Sequence, residues 1–140
     1  MRREWPWEEV ITTGEILALY DAAMTVHGGM RSAPREGCLE QCLGAAHHAE
    51  VYHAEPGVTH GLRFAAALLV YLAKDSCFAD GNKRIAWSAM TFVLYRRFRL
   101  TLDTGATEAV QLVEDVLARR LEVDDVMRWL GPRLVGAAPS

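Results

Sequence analysis

Apolar positions first settle into a regular pattern after Thr12. Ile16, Leu17, Leu19, Tyr20, Ala23 and Met24 recur at helical spacing. Thr12 and Glu15, three apart, read as a capping box at the start of that helix. Gly28-Gly29 ends it. Ser32-Ala33-Pro34 predicts the start of a second helix, with Pro34 in its first turn and Leu39, Cys42, Leu43 and Ala46 on its buried face. His47 to Val58 is polar, carries Pro56 and Gly57, and reads as an exposed connection. A third helix is expected from Thr59 to Lys74. Its Phe64–Ala73 run is apolar on nearly every side, which predicts a place at the centre of a bundle. The fourth starts at Gly81 or Asn82 and reaches Phe98, with Ile85, Ala86, Ala89, Met90, Val93 and Leu94 facing inward.

Leu100-Thr101-Leu102 is a short strand candidate, expected to pair with an extended segment, Trp7 to Thr12, near Val10. Thr107 to Ala118 predicts a fifth helix, with Ala109, Val110, Val113, Val116 and Leu117 as its apolar set. Val123 to Leu130 predicts a sixth, its Asp124 and Asp125 placed favourably for the helix dipole and Gly131-Pro132 as its stop. The pattern predicts an all-α protein, a compact six-helix bundle with minor short strands. One domain covers residues 1–135, and 136–140 form a flexible tail.

Composition narrows this picture. The chain has 140 residues, one domain's worth, and 51% hydrophobic residues suffice for one core. A net charge of -3 argues against broad nucleic-acid binding. No apolar run approaches the roughly 18 residues of a membrane span, and the N-terminus has no signal-peptide core, so a cytoplasmic protein is expected. Three cysteines, Cys38, Cys42 and Cys77, are an odd count without framework spacing. They predict no disulfide scaffold and a reducing compartment. Cys38 and Cys42 read as core residues, and Cys77 as an exposed loop thiol. His47, His48, His53 and His60 lack zinc-motif spacing on one helix face and read as surface residues. The cations of Tyr95-Arg96-Arg97-Phe98-Arg99 suit a helix C-terminus.

The stretch with chemistry in it is Ser76-Cys77-Phe78-Ala79-Asp80-Gly81-Asn82-Lys83-Arg84. A loop leaves the apolar central helix, presents an acid, passes a glycine and enters the next helix with Lys83 and Arg84 in its first turn. The first N–H groups of a helix lack intrahelical partners and favour an anion. Gly81 admits a phosphate close to the backbone, and Arg84 can grip its oxygens in bidentate fashion. Asp80 would repel a bare phosphate, but suits a Mg2+ ion bridging to one. Phe78 is expected to plug the loop into the core. The plainer reading makes Asp80 an N-cap and leaves Lys83 and Arg84 solvated.

This segment resembles the signature of the Fic/Doc (death-on-curing) superfamily, His-x-Phe-x-(Asp/Asn)-(Ala/Gly)-Asn-Lys-Arg in its Doc branch. Phe78, Asp80, Gly81, Asn82, Lys83 and Arg84 stand in register. Lys83 occupies the place of a glycine in the Fic branch, which makes the chain Doc-like. The resemblance extends over roughly residues 8–131. It implies ATP and Mg2+ as cofactors, with Asp80 serving the metal and Gly81, Asn82, Lys83 and Arg84 holding phosphates. It implies transfer of the terminal phosphate to a threonine of a translation elongation factor. It also implies an antitoxin partner with a flexible segment, and neither membrane nor nucleic acid as partner. A flap at Ala49–Gly57 that holds a target segment by strand pairing is weighed equally with an ordinary loop.

The departure is Ser76, at the position of the family's histidine. That histidine is the general base, for which imidazole has a suitable pKa. A hydroxyl cannot do this, so catalysis is expected to suffer more than binding. Natural degeneration and deliberate inactivation are both compatible with the serine. Two other readings stand beside a weakened phosphotransferase: a Fic-type AMP transferase and a non-catalytic, nucleotide-binding interaction module.

Overall fold

The computed structural model describes residues 10–53 and 61–136. Six helices and a two-stranded ribbon follow in the order α1 (Thr13–His27), α2 (Cys38–His53), α3 (Leu62–Asp75), α4 (Asn82–Phe98), β1 (Leu100–Leu102), α5 (Ala106–Ala118), α6 (Val123–Leu130) and β2 (Leu134–Gly136). The expected all-α fold with minor strands is the observed one.

Helix α3 is the axis of the bundle and packs on α2, α4, α5 and α6. Residues Arg63 to Val70, Leu72 and Ala73 are all buried, as the all-round apolar run requires. Every inward position expected of α4 is buried. The α1 capping box is present: Glu15 N–H donates to Thr12 Oγ1 at 3.1 Å, and Thr12 N–H donates to Glu15 Oε1 at 3.0 Å. Gly28 caps the other end. On α5 the buried face is Leu112, Val113 and Val116, whereas Val110 and Leu117 are exposed. Val113 and Val116 are buried as expected, and Leu112 joins them in place of Val110 and Leu117.

Three expectations are corrected. The second helix does not start at Pro34 but at Cys38. The preceding segment is committed elsewhere: Ser32 Oγ accepts Ala79 N–H at 2.9 Å, and Arg35 N–H donates to Cys77 O at 2.9 Å. A side chain so engaged cannot cap a helix. Second, α2 runs on through His47 to His53, where a polar connection was expected. Buried Ala49 and Glu50 hold that last turn against the core. The first residues of the flap expectation are therefore helical, and residues 54–58 lie outside the described ones. Third, β1 pairs antiparallel with β2, Thr101 opposite Val135, not with the chain near Val10. Val10 and Ile11 are buried in the core, and Val10 O accepts from Arg96 Nη1 at 3.1 Å. The pairing also takes in Gly136, expected to be tail; Trp7 and the rest of 1–9 lie outside the described residues.

Arg96 links α4 to the start of α1, with Nη1 2.9 Å from Glu15 Oε1. That hydrogen bond, above all, holds the Glu15 carboxyl below the usual carboxylate range. A lowered folded-state pKa means the fold prefers the ionised form. The contribution is present above the unfolded pKa and is lost as pH falls through the folded one. The pair is largely exposed, so its effect is small. Melting temperatures are expected to lose a small increment below about pH 4.3, an increment missing from Glu15→Gln.

Candidate active site

The signature loop joins the two helices at the centre of the bundle, and a network of its own holds it there. Phe78 is buried and stacks on Tyr20 of α1, ring centroids 3.8 Å apart and planes 8° from parallel. Phe78 is thus the plug that the sequence suggested. The Asn82 side chain grips the backbone of the same residue: Phe78 N–H donates to Asn82 Oδ1 at 3.0 Å, and Asn82 Nδ2 donates to Phe78 O at 2.8 Å. Its amide therefore shapes the loop, and what it can offer a phosphate is its backbone N–H.

Gly81 is the N-cap residue of α4, at φ 81°, in the left-handed region that glycine adopts without a steric penalty. No side chain caps this helix end. The leading N–H groups are left to point outward, with Lys83 and Arg84 beside them. Among the described residues Arg84 has no carboxylate partner, and Lys83 Nζ stands 3.8 Å from Glu114 Oε1, a loose and exposed pair. Two cations at the positive end of a dipole, so weakly compensated, favour an anionic ligand.

Asp80 stands at the mouth. Its Oδ1 accepts Gly81 N–H at 2.8 Å and its Oδ2 accepts Met30 N–H at 3.2 Å. This fixes the carboxylate between two loops while it remains exposed. Gly29, at φ 111°, makes that approach possible, since a Cβ there would lie 2.5 Å from Asp80 Oδ2. An exposed, doubly anchored carboxylate beside a cationic helix end is the donor chemistry that suits Mg2+ on a phosphate.

These residues share one cavity of about 480 Å³, lined by Ser76, Asp80, Gly81, Asn82, Lys83 and Arg84 together with His27 and Gly29. Every site residue expected from the sequence is in its wall. His27 was missed. It ends α1, far away in sequence, and only the packing of α1 on α4 brings it to the cavity wall.

Ser76 is exposed and lies in the left-handed region, φ 49° and ψ 57°, as the C-cap of α3. Its neighbour Asp75 turns the other way, with Oδ2 3.3 Å from Cys42 Sγ, and does not line the cavity. Cys38 and Cys42 are buried, as expected of core residues, but the expectations of an exposed Cys77 and of no disulfide are corrected. Cys77 is buried, and its sulfur is bonded to that of Cys38, the first residue of α2. Nothing in the spacing of the cysteines indicated this, because the pairing depends on how the loop docks on α2.

Among the described residues, no helix is long and apolar enough to cross a membrane. Residues 10–94, more than half of the chain, match the model of the Fic/DOC family. Toxin Doc of Mycolicibacterium smegmatis is 38% identical over 63 residues, a match covering 44% of this chain and 48% of that protein. The chain thus matches about half the length of this curated relative. The loop, the helix end and the cavity agree with the match: this chain belongs to the Fic/DOC family.

Proposed function

We propose that the chain is a Doc-type toxin of a toxin–antitoxin pair. Its scaffold is that of an ATP- and Mg2+-dependent phosphotransferase acting on a threonine of a translation elongation factor, weakened by Ser76. The observation that carries this reading is the uncapped start of α4, with Lys83 and Arg84, facing the anchored Asp80 across one cavity. Lys83 and Arg84 would hold phosphate oxygens, with the backbone N–H groups after Gly81. Asp80 would hold the Mg2+, which when bound neutralises charge on the phosphates. The protein's own contribution is then positioning: the Asn82 clamp and the Phe78–Tyr20 stack fix the loop, and the residue at 76, in the wall of the same cavity, would face the transferred group. Ser76 can donate a hydrogen bond to a target hydroxyl but cannot take its proton at neutral pH.

An antitoxin with a flexible segment is the partner this reading implies. Cytoplasmic action follows from the proposed target. Lys83, in place of a glycine, argues against AMP transfer. A non-catalytic module would keep the phosphate site and lose transfer altogether.

The test is a thermal titration with ATP and Mg2+. Ligand at about a hundred times its Kd stabilises by about 2.7 kcal/mol, and a clear rise in Tm is expected. Arg84→Ala is expected to weaken binding about ten- to a hundredfold, the value of a charge-assisted hydrogen bond. No rise in Tm with ATP and Mg2+ would overturn the nucleotide reading.

A further inference from the structure

Three sulfurs meet behind the signature loop. Cys38, Cys42 and Cys77 are all buried, and their sulfur atoms lie within 4.8 Å of one another. A disulfide accounts for two of them and leaves Cys42 unexplained. Its thiol is fully buried, 3.8 Å from Cys77 Sγ and 3.3 Å from Asp75 Oδ2. We propose that Cys38, Cys42, Cys77 and Asp75 form a tetrahedral zinc site once the Cys38–Cys77 bond is reduced.

Geometry carries the proposal. Zinc–sulfur bonds of about 2.3 Å and a zinc–carboxylate bond of about 2.0–2.2 Å, at tetrahedral angles, set ligand–ligand edges of about 3.8 Å for S···S and about 3.5 Å for S···O. Two of those edges already exist, 3.8 Å from Cys42 to Cys77 and 3.3 Å from Cys42 to Asp75. The three sulfurs already lie within 4.8 Å of one another, and opening the Cys38–Cys77 bond would free Cys38 to move out to edge distance. A sulfur-rich set of four selects zinc over the hard, oxygen-seeking Mg2+ and Ca2+. With no open position the site is structural.

The surroundings fit as well. Arg35 Nη2 lies 3.4 Å from Cys38 Sγ and also donates to Asp75 O, placing a cation against the excess negative charge of three thiolates and a carboxylate. The buried Cys42 thiol and the half-buried Asp75 carboxylate are already in contact, and a divalent cation between them would displace the thiol proton. The steps balance. A thiol or phosphine reductant supplies two electrons, two protons complete the Cys38 and Cys77 thiols, and Zn2+ then releases three protons to solvent. Asp75 and Cys77 flank Ser76, so the metal would hold the loop to α2 as the disulfide does, now through all three sulfurs.

The test uses the full chain, reduced with a phosphine, desalted under nitrogen, and titrated with zinc chloride against a chromogenic chelator. Cobalt chloride serves as a spectroscopic probe. Equimolar zinc binding and thiolate-to-cobalt charge-transfer bands with tetrahedral d–d bands are expected, and no binding by the oxidised chain. Cys42→Ser leaves the Cys38–Cys77 pair intact, so its fold can be checked in the oxidised form. It is expected to lower zinc affinity at least about tenfold, and Asp75→Asn to change the cobalt bands. If the reduced chain takes up no zinc, or if Cys42→Ser binds it as tightly as the parent, the site does not exist. Should Cys42→Ser fail to fold, cobalt bands unchanged in Asp75→Asn would equally overturn the four-ligand set.

Discussion

Ser76→His is expected to raise phosphate transfer from ATP to a protein hydroxyl by about two to four orders of magnitude, the usual worth of a positioned general base. The backbone is ready for the change. Residue 76 sits at φ 49° and ψ 57°, a region in which histidine is tolerated better than most side chains. The position is exposed, lines the same cavity as Asp80 and Arg84, and is tethered on its C-terminal side by buried Cys77 and Phe78. Asp75 is no substitute in the parent chain, because its carboxylate faces Cys42. The measurement is transfer into a bacterial lysate, with Mg2+, from ATP labelled at the terminal phosphate and, in parallel, from ATP labelled at the α-phosphate. A single labelled protein with the histidine variant alone identifies Ser76 as the lesion in a phosphotransferase. Label carried over only from the α-phosphate would instead assign AMP transfer. If neither form transfers label while ATP still raises Tm, the chain is a nucleotide-binding interaction module.

Most of this site was readable in the sequence because it is local. Phe78, Asp80, Gly81, Asn82, Lys83 and Arg84 fall within seven consecutive positions, and the helix–loop–helix around them is set by an apolar run and a glycine. What the sequence did not reveal is what other elements bring to the loop. His27 and Gly29 reach the cavity from the end of α1, and Cys38 reaches Cys77 from the start of α2. The clamp that the Asn82 side chain forms was not visible for a related reason. A phosphate-binding residue and a loop clamp look alike until the partner of the amide is seen, and here the partner is the backbone of Phe78. The ribbon failed on the same ground. A three-residue strand has too little pattern to name its partner, and β2 offered one only by following α6 back across the bundle.

The largest stability effect outside the apolar core is expected at Glu50, in a segment whose polarity suggested an exposed connection. Glu50 is 1% exposed, the most deeply buried acid among the described residues. Its Oε1 accepts Gly61 N–H at 2.6 Å and its Oε2 accepts Phe64 N–H at 3.0 Å. Gly61, at φ 98°, carries no side chain to cap α3, so a carboxylate on α2 performs the capping from outside the helix. The negative charge also suits the positive end of the central helix. Glu50→Ala removes both acceptors, strands two donors away from water and leaves a void. At about 1–3 kcal/mol for each unsatisfied group, a loss of about 3–5 kcal/mol is expected, a large share of a small domain's stability. Glu50→Gln keeps one acceptor but sets an amide N–H against a donor, so it should lose nearly as much rather than rescue. Urea denaturation of the three proteins measures this directly. A midpoint for Glu50→Ala within experimental error of the parent would mean that α3 is held by its apolar faces alone. The expected drop would make α2 and α3 one cooperative unit, with the signature loop anchored on a helix whose start is secured by its neighbour.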